Sequence, residues 1–153
     1  MSSEEERKIK CVVWDLDDTL WDGVLMEHDP CLLKSGVVDT IKELDDRGIL
    51  QSIASKNEES SATEKLKSYG LSDYFLYPMI NFDSKSSSIE KIATLLNIGT
   101  DAIAFIDDQP FERDEVSFSL PDVLCIDSYY IHELLEMPEM NPRFITDDSS
   151  KRR

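Results

Sequence analysis

The chain has 153 residues, 41% of them hydrophobic and 31% charged, which suits one soluble globular domain with a real core. A formal net charge of −16 excludes a nucleic-acid binder, because phosphates are repelled without a basic footprint. No apolar run approaches the roughly 18 residues needed to span a bilayer. The start, Met1-Ser2-Ser3-Glu4-Glu5-Glu6, lacks the basic and apolar regions of a signal peptide. Neither nucleic acid nor membrane is therefore expected as a partner, and the cytoplasm is the expected location. Three cysteines without a Cys-x-x-Cys fit a reducing compartment.

Residues 1–7 are charged and read as a disordered tail. Residues 10–19 then read Lys-Cys-Val-Val-Trp-Asp-Leu-Asp-Asp-Thr. Cys11-Val12-Val13-Trp14 suits a strand buried on both faces, and it runs into Asp15, Asp17 and Asp18. Carboxylates one residue apart share a side of an extended chain, and the carboxyl edge of an open α/β sheet is where ligands bind. Three readings follow: a solvated acidic turn, a hard-cation site, or an aspartate that attacks phosphorus.

A loop over about residues 20–34, turning at Asp29-Pro30, leads to a helix. Val37, Val38, Ile41 and Leu44 supply its apolar spacing, and Gly48 stops it. A strand over 49–54 ends on Ser55-Lys56-Asn57, and a polar helix over 58–69 closes at Gly70. Tyr74 to Ile80 reads as a strand rich in aromatics. Lys85 sits ahead of a helix that Ser87 and Glu90 open as a capping box, with Ile89, Ile92, Ala93 and Leu96 as its buried stripe. A strand over 102–106 ends on Asp107-Asp108-Gln109-Pro110. A helix over 110–118, a strand over 123–126 and a helix near 130–137 follow. Strands alternating with helices predict an α/β fold, a doubly wound parallel sheet in three layers. The catalytic unit is expected over 8–137, with 138–153 an extension or the start of a further region.

The order Asp15-x-Asp17-x-Thr19, Ser55, Lys85, Asp107-Asp108 resembles the four motifs of the haloacid dehalogenase superfamily. The FkbH-like branch of polyketide and related biosynthesis is the nearer likeness. It is carried by Lys10-Cys11, by Asp15 through Val24, by Ser55-Lys56-Asn57, by Leu96-Asn97-Ile98-Gly99 and by Phe105 through Arg113. The resemblance covers about residues 8–128; Asp18 and Asp22 depart from the branch, where Asn and Gly are expected. It implies a Rossmann-like core, and neither the 19–37 nor the 55–85 interval is long enough for a folded cap domain. A macromolecular substrate or a partner would then close the site. Phe144 through Arg152 resembles a stretch where longer FkbH-like proteins continue; a natural basic terminus is the other reading.

By the same resemblance the chemistry is Mg²⁺-dependent phosphoryl transfer. Asp15 is implied as nucleophile, Asp17 as general acid and base, and Ser55 and Lys85 as holders of the phosphoryl oxygens. Thr19 and Asn57 are implied to bind substrate. Asp15, Asp107, Asp108 and the backbone carbonyl of Asp17 are implied metal ligands. The substrate is then a phosphorylated small molecule or a phosphorylated or acyl-carrying macromolecule. FkbH-like chemistry adds a second function, loading a three-carbon acyl unit onto an acyl carrier protein through a cysteine thioester. Cys11 is the cysteine that chemistry points at, yet it lies about 13 Å from Asp15 along one strand, in the sheet core; Cys31 is an alternative in the loop. A third class, a binding module without catalysis, has no use for Asp15, Asp17, Ser55, Lys85 and Asp107 together.

Plainer readings stand beside these. Asp108 also suits a helix cap ahead of Pro110, and Glu112 with Arg113 a surface charge pair. Trp14 and Trp21 read as packing residues, and His28 as a solvated loop side chain.

Overall fold

The structure, a computed structural model, describes residues 7–24 and 32–141. His28, the Asp29-Pro30 turn, Cys31, residues 1–6 and everything after Asn141 lie outside the described residues. Five strands form one parallel sheet: β1 Cys11–Trp14, β2 Leu50–Ser55, β3 Met79–Ile80, β4 Ile103–Asp107 and β5 Leu124–Asp127, in the order β3-β2-β1-β4-β5. The helices between them are α1 Val37–Asp46, α2 Glu59–Ser68, α3 Lys85–Leu96 and α4 Pro110–Ser119.

The period of two along each strand divides the interior into two cores. Val12 and Trp14 of β1, Ile53 of β2 and Ala104 and Ile106 of β4 meet Val37, Ile41 and Leu44 of α1 and Ala62 and Leu66 of α2. Cys11 and Val13, Ala54, Ile103 and Phe105 point the other way, onto Ile89, Ile92 and Ala93 of α3 and Val116 of α4. This is the three-layer, doubly wound α/β sheet. One polar group crosses the first core. Gln51 accepts from the Trp14 indole at 2.9 Å and donates to the Ile41 carbonyl at 2.9 Å, so it ties β1, β2 and α1 together.

Several elements differ from expectation. Tyr74–Ile80 is not a strand: Ser72–Tyr74 form a 3₁₀ turn and only Met79–Ile80 pair with β2. Pro78 has no N–H for a ladder, and Tyr77 takes a left-handed φ of 49°, so the chain can join the sheet only for its last two residues, at the edge. The Ser87–Glu90 capping box does not open α3 either. Ser84 is the cap, its hydroxyl accepting the Ser87 amide at 3.2 Å, and Lys85 becomes the first helical residue. The stretch Ser128–Glu136 is 3₁₀ rather than α, since its buried Ile131 and Leu134 sit three residues apart, one turn of the tighter helix.

The packed domain also runs past the expected boundary at 137. Met140 is fully buried, the Ile9 amide donates to the Glu139 carbonyl at 2.9 Å, and Arg47 donates to the carbonyls of Leu135 and Met140 at 3.0 and 2.9 Å. At the other end, Arg7 of the expected tail donates to the Asp101 carbonyl at 2.9 Å. No helix of the described residues is long and apolar enough to cross a membrane.

Glu58 caps α2, where the hydroxyls of Ser60 and Ser61 and then the Ser61 amide hold its carboxyl down at about 2. A folded value below the ordinary 4.5 gives stability that is present above that value and lost as pH falls toward 2. Glu58→Ala is expected to be less stable than wild type at pH 7, and the gap should narrow as urea titrations move from pH 5 toward pH 3, with the remainder lost toward pH 2. A gap independent of pH would show that the charge of Glu58 plays no part.

Candidate active site

The alternation that builds the cores also delivers the charged groups. Asp15 follows Cys11 and Val13, and Asp107 follows Ile103 and Phe105, so both belong to the α3–α4 side of the sheet. β1 pairs with β4 through Trp14↔Ile106, and the Asp15 amide donates to the Ile106 carbonyl at 2.9 Å, which brings the two aspartates side by side. The chain crosses from one side of β1 to the other at this point, the switch position where open α/β sheets bind ligands.

Lys85 reaches this pair from the first turn of α3. Its Nζ donates to Asp15 Oδ1 at 3.0 Å and to Asp107 Oδ2 at 2.6 Å, and the residue is 3% exposed. Glu115 of α4 accepts from the Ser86 amide at 3.2 Å and hydroxyl at 2.5 Å, so two helices fix the turn that carries Lys85. Burial pulls the lysine's pKa down, but the charges of Asp15 and Asp107 outweigh it and leave it raised. Burial pushes Asp15 up, Asp107 adds to the push, and Lys85 recovers only part, so Asp15 ends well above the usual carboxylate range. Asp108 is raised too, by burial and then by Asp107.

The site is therefore short of positive charge. One oxygen from each of Asp15, Asp107 and Asp108 lies within 4.8 Å of the others, and Lys85 is the ammonium bonded to Asp15 and Asp107, while Lys56 of the same cleft pairs with Glu112. A cluster of three carboxylates offers hard oxygen donors only, which fits a small divalent cation such as Mg²⁺.

Asp17 reaches the site by a different route than expected. The strand ends at Trp14 and the chain turns, the Leu16 carbonyl accepting from the amides of Thr19 and Leu20 at 3.1 and 2.9 Å. Asp18 adopts φ 57° and accepts from the Gly23 amide at 2.7 Å, a role in which Asp serves as well as the Asn expected there. The Asp17 carboxylate takes the Trp21 indole N–H on Oδ1 at 3.0 Å and the Asn57 amide on Oδ2 at 3.2 Å. It is not part of the three-carboxylate cluster.

Asp15, Asp17, Lys85, Asp107 and Asp108 line one cleft of about 190 Å³, together with Lys56 and Glu112. Thr19, Ser55 and Asn57 stand behind it. Thr19 is fully buried, its hydroxyl 3.1 Å from Asp15 Oδ2 and 3.4 Å from Asp108 Oδ1. Ser55 accepts from Asn57 at 3.4 Å. Asp108 does not cap α4; the Gln109 amide goes to Asp107 Oδ1 at 2.9 Å. Glu112 and Arg113 do not pair with each other. Glu112 meets Lys56 at 3.3 Å, while Arg113 donates to the Asp107 carbonyl at 2.9 Å and faces Asp127 at 3.6 Å. Lys56 also lines the cleft, and its only signal in the sequence is its place in Ser55-Lys56-Asn57. A larger hollow of about 510 Å³ lies at the opposite edge of the sheet, lined by Arg7, Lys8 and Lys10 among others. Arg7 and Lys8 are bonded there to the carbonyls of Asp101 and Pro138.

The two described cysteines are poorly disposed to chemistry. Cys11 is fully buried, and burial pushes its thiol up to about 12; Cys125 is half-buried and raised for the same reason.

Comparison with known proteins agrees with the fold. The family described as haloacid dehalogenase-like hydrolase matches residues 22–112. The N-terminal part of a Bacteroides fragilis protein containing a phosphatase domain, complexed with Mg, is 29% identical at a TM-score of 0.74, with 92% of this chain and 42% of that one covered. The chain thus spans well under half the length of that structure. Two more distant structures share the fold. A haloacid dehalogenase-superfamily hydrolase from Geobacter sulfurreducens is 14% identical, with a TM-score of 0.63 over 84% of this chain and 100% of that one. The 3-deoxy-D-manno-octulosonate 8-phosphate phosphatase of Moraxella catarrhalis, complexed with magnesium, phosphate and its sugar, is 19% identical, with a TM-score of 0.53 over 69% and 60%. Among curated proteins none matches.

Two outcomes are expected. Raising the Cys11 thiol from 9.0 to about 12 lowers its thiolate fraction near neutral pH by roughly a thousandfold, so iodoacetamide should label it very slowly in the native state. Rapid stoichiometric labelling, read by peptide mass spectrometry, would contradict the burial. Lys85→Ala strands two buried carboxylates and should cost about 3–5 kcal/mol by urea denaturation in EDTA. A loss under about 1 kcal/mol, the scale of an exposed pair, would mean that the pair is solvated.

Proposed function

Because the chain belongs to the haloacid dehalogenase-like hydrolase family, we propose that it is a Mg²⁺-dependent phosphatase working through a phosphorylated Asp15. The observation that carries this reading is the Lys85 ammonium held on Asp15 and Asp107 at 3.0 and 2.6 Å, with Asp108 in the same cluster. Asp15, Asp107, Asp108 and the backbone carbonyl of Asp17 would hold the ion. When bound, Mg²⁺ supplies the positive charge that Lys85 alone does not, for the carboxylates and for the phosphoryl oxygens.

Asp15 attacks phosphorus and the bond to the leaving oxygen breaks, while Asp17 gives that oxygen a proton. Asp17 then takes a proton from water, whose oxygen attacks the phosphorus on Asp15 and releases phosphate. Lys85 holds phosphoryl oxygens as a point charge. Ser55 accepts from Asn57, so its own proton still needs an acceptor, which a phosphoryl oxygen provides. For Thr19 we assign the orientation of Asp15 and Asp108 in place of substrate contact, because its hydroxyl is fully buried against them. The catalytic unit in this reading is residues 8–137, with 138–141 packed onto it. Between Ser55 and Lys85 the chain makes α2, a 3₁₀ turn and β3, and in this reading the cleft takes a phosphorylated small molecule or a larger phosphorylated partner.

The narrower FkbH-like assignment rests on the motifs from Asp15 to Val24 and from Phe105 to Arg113. Its acyl loading onto a carrier protein needs a reactive thiol, which the buried Cys11 does not offer. Phosphate release ranks first among the chemistries that the described residues support, Cys31 lying outside them. The unpaired thiols of Cys11 and Cys125 fit the expected cytoplasm.

Hydrolysis of 4-nitrophenyl phosphate is expected to need Mg²⁺, to stop in EDTA and to return when the ion is restored. Asp15→Asn keeps the shape but not the nucleophile and should lower turnover to background. Wild-type rates in that variant, or in EDTA, would overturn the reading.

A further inference from the structure

Trp21 and Trp14 are both fully buried, and a buried indole N–H needs a partner. Trp14 finds Gln51, a partner inside the core. Trp21 instead donates to Asp17 Oδ1 at 3.0 Å, a carboxylate that lines the cleft. The ring has little freedom to leave. Its backbone bridges to Asp17 and to Leu33, and the flanking residues are tied down by Asp22 N to Leu32 O at 2.8 Å and Lys34 N to Leu20 O at 2.9 Å. From the far side Asn57, just past the end of β2, donates to Oδ2 of the same carboxylate at 3.2 Å.

Two donors arriving from different elements, one on each oxygen, set both the plane and the tilt of the carboxylate. They also hold it out of the Asp15–Asp107–Asp108 cluster, where a fourth carboxylate would be drawn to a cation and lost to proton transfer.

We propose that Trp21 is a positioning residue for proton transfer, its indole N–H fixing the Asp17 carboxylate at the leaving oxygen, with Asn57 as its counterpart. The inference rests on the phosphatase reading above. In the first step the phosphorus–oxygen bond to the leaving group breaks as Asp15 bonds to phosphorus, and the Asp17 proton goes to the departing oxygen. A misplaced Asp17 matters most where that oxygen is a poor leaving group, and least where the departing anion is stable without a proton.

The test compares leaving-group release in a single turnover, with Mg²⁺, from an alkyl phosphate and from 4-nitrophenyl phosphate. Trp21→Phe should slow alkyl phosphate about 10-fold or more, part of the roughly 10²–10⁴-fold due to a general acid, and slow the aryl ester less than about 3-fold. Asp17→Asn should show the same bias more strongly, and Asn57→Ala should share it. If Trp21→Phe does not fold, benzothienylalanine at position 21 keeps the ring shape without the N–H and takes its place. Equal losses on both substrates, or no loss on either, would overturn the proposal and return Trp21 to packing alone. Asp15→Asn is the separate control: turnover there would sink the phosphatase reading itself rather than the role of Trp21.

Discussion

One buried ammonium shared by two aspartates is the constraint on which the site depends. Lys85 is 3% exposed and Asp107 fully buried, so neither charge can relax into water. Such pairs are weak evidence for stability but strong evidence for a fixed arrangement, because removing one partner leaves the other uncompensated. The surrounding structure is arranged accordingly. Ser84 caps α3 just before Lys85, Glu115 of α4 grips Ser86 just after it, and Arg113 of the same helix donates to the Asp107 carbonyl. The second half of the fold thus holds a lysine and an aspartate against the end of β1, which the first half supplies.

Sheet geometry explains why those residues can do this together. Parallel strands end on one edge, and the strand period assigns Asp15 and Asp107 to the same face. The outer ring of contacts is less regular. Thr19, Asn57 and Trp21 each hold a carboxylate of the site by a side-chain hydrogen bond, and all three are buried. A site whose carboxylates are held in this way suits chemistry that is mostly positioning and charge neutralisation.

Much of this was legible in the residue order. The apolar runs at 11–14, 50–54 and 102–106 each stop on polar groups, and those stops come together around one cleft. What was not legible depended on contacts between distant segments. Nothing local says that Trp21 would donate to Asp17 or that Arg47 would reach residues 135–141. Aromatic content at 74–80 suggested a strand, but Pro78 and the turned Tyr77 decided otherwise, since a missing donor and a positive φ outweigh β-propensity. The start of α3 was misplaced by three residues because Ser84, Ser86, Ser87 and Ser88 are equally good caps by composition, and only the backbone chooses among them.

The bond between the Ile9 amide and the Glu139 carbonyl closes the two described ends of the domain on each other. That junction lies where β1 begins, while the aspartates lie where it ends, about 13 Å further on for four residues of strand. The Ile9–Glu139 contact and the aspartates thus lie at opposite edges of one sheet. A tether, a surface linkage or a fused reporter introduced at this junction leaves the mouth of the cleft clear, and a segment grafted there to cover it has the depth of the sheet to cross first.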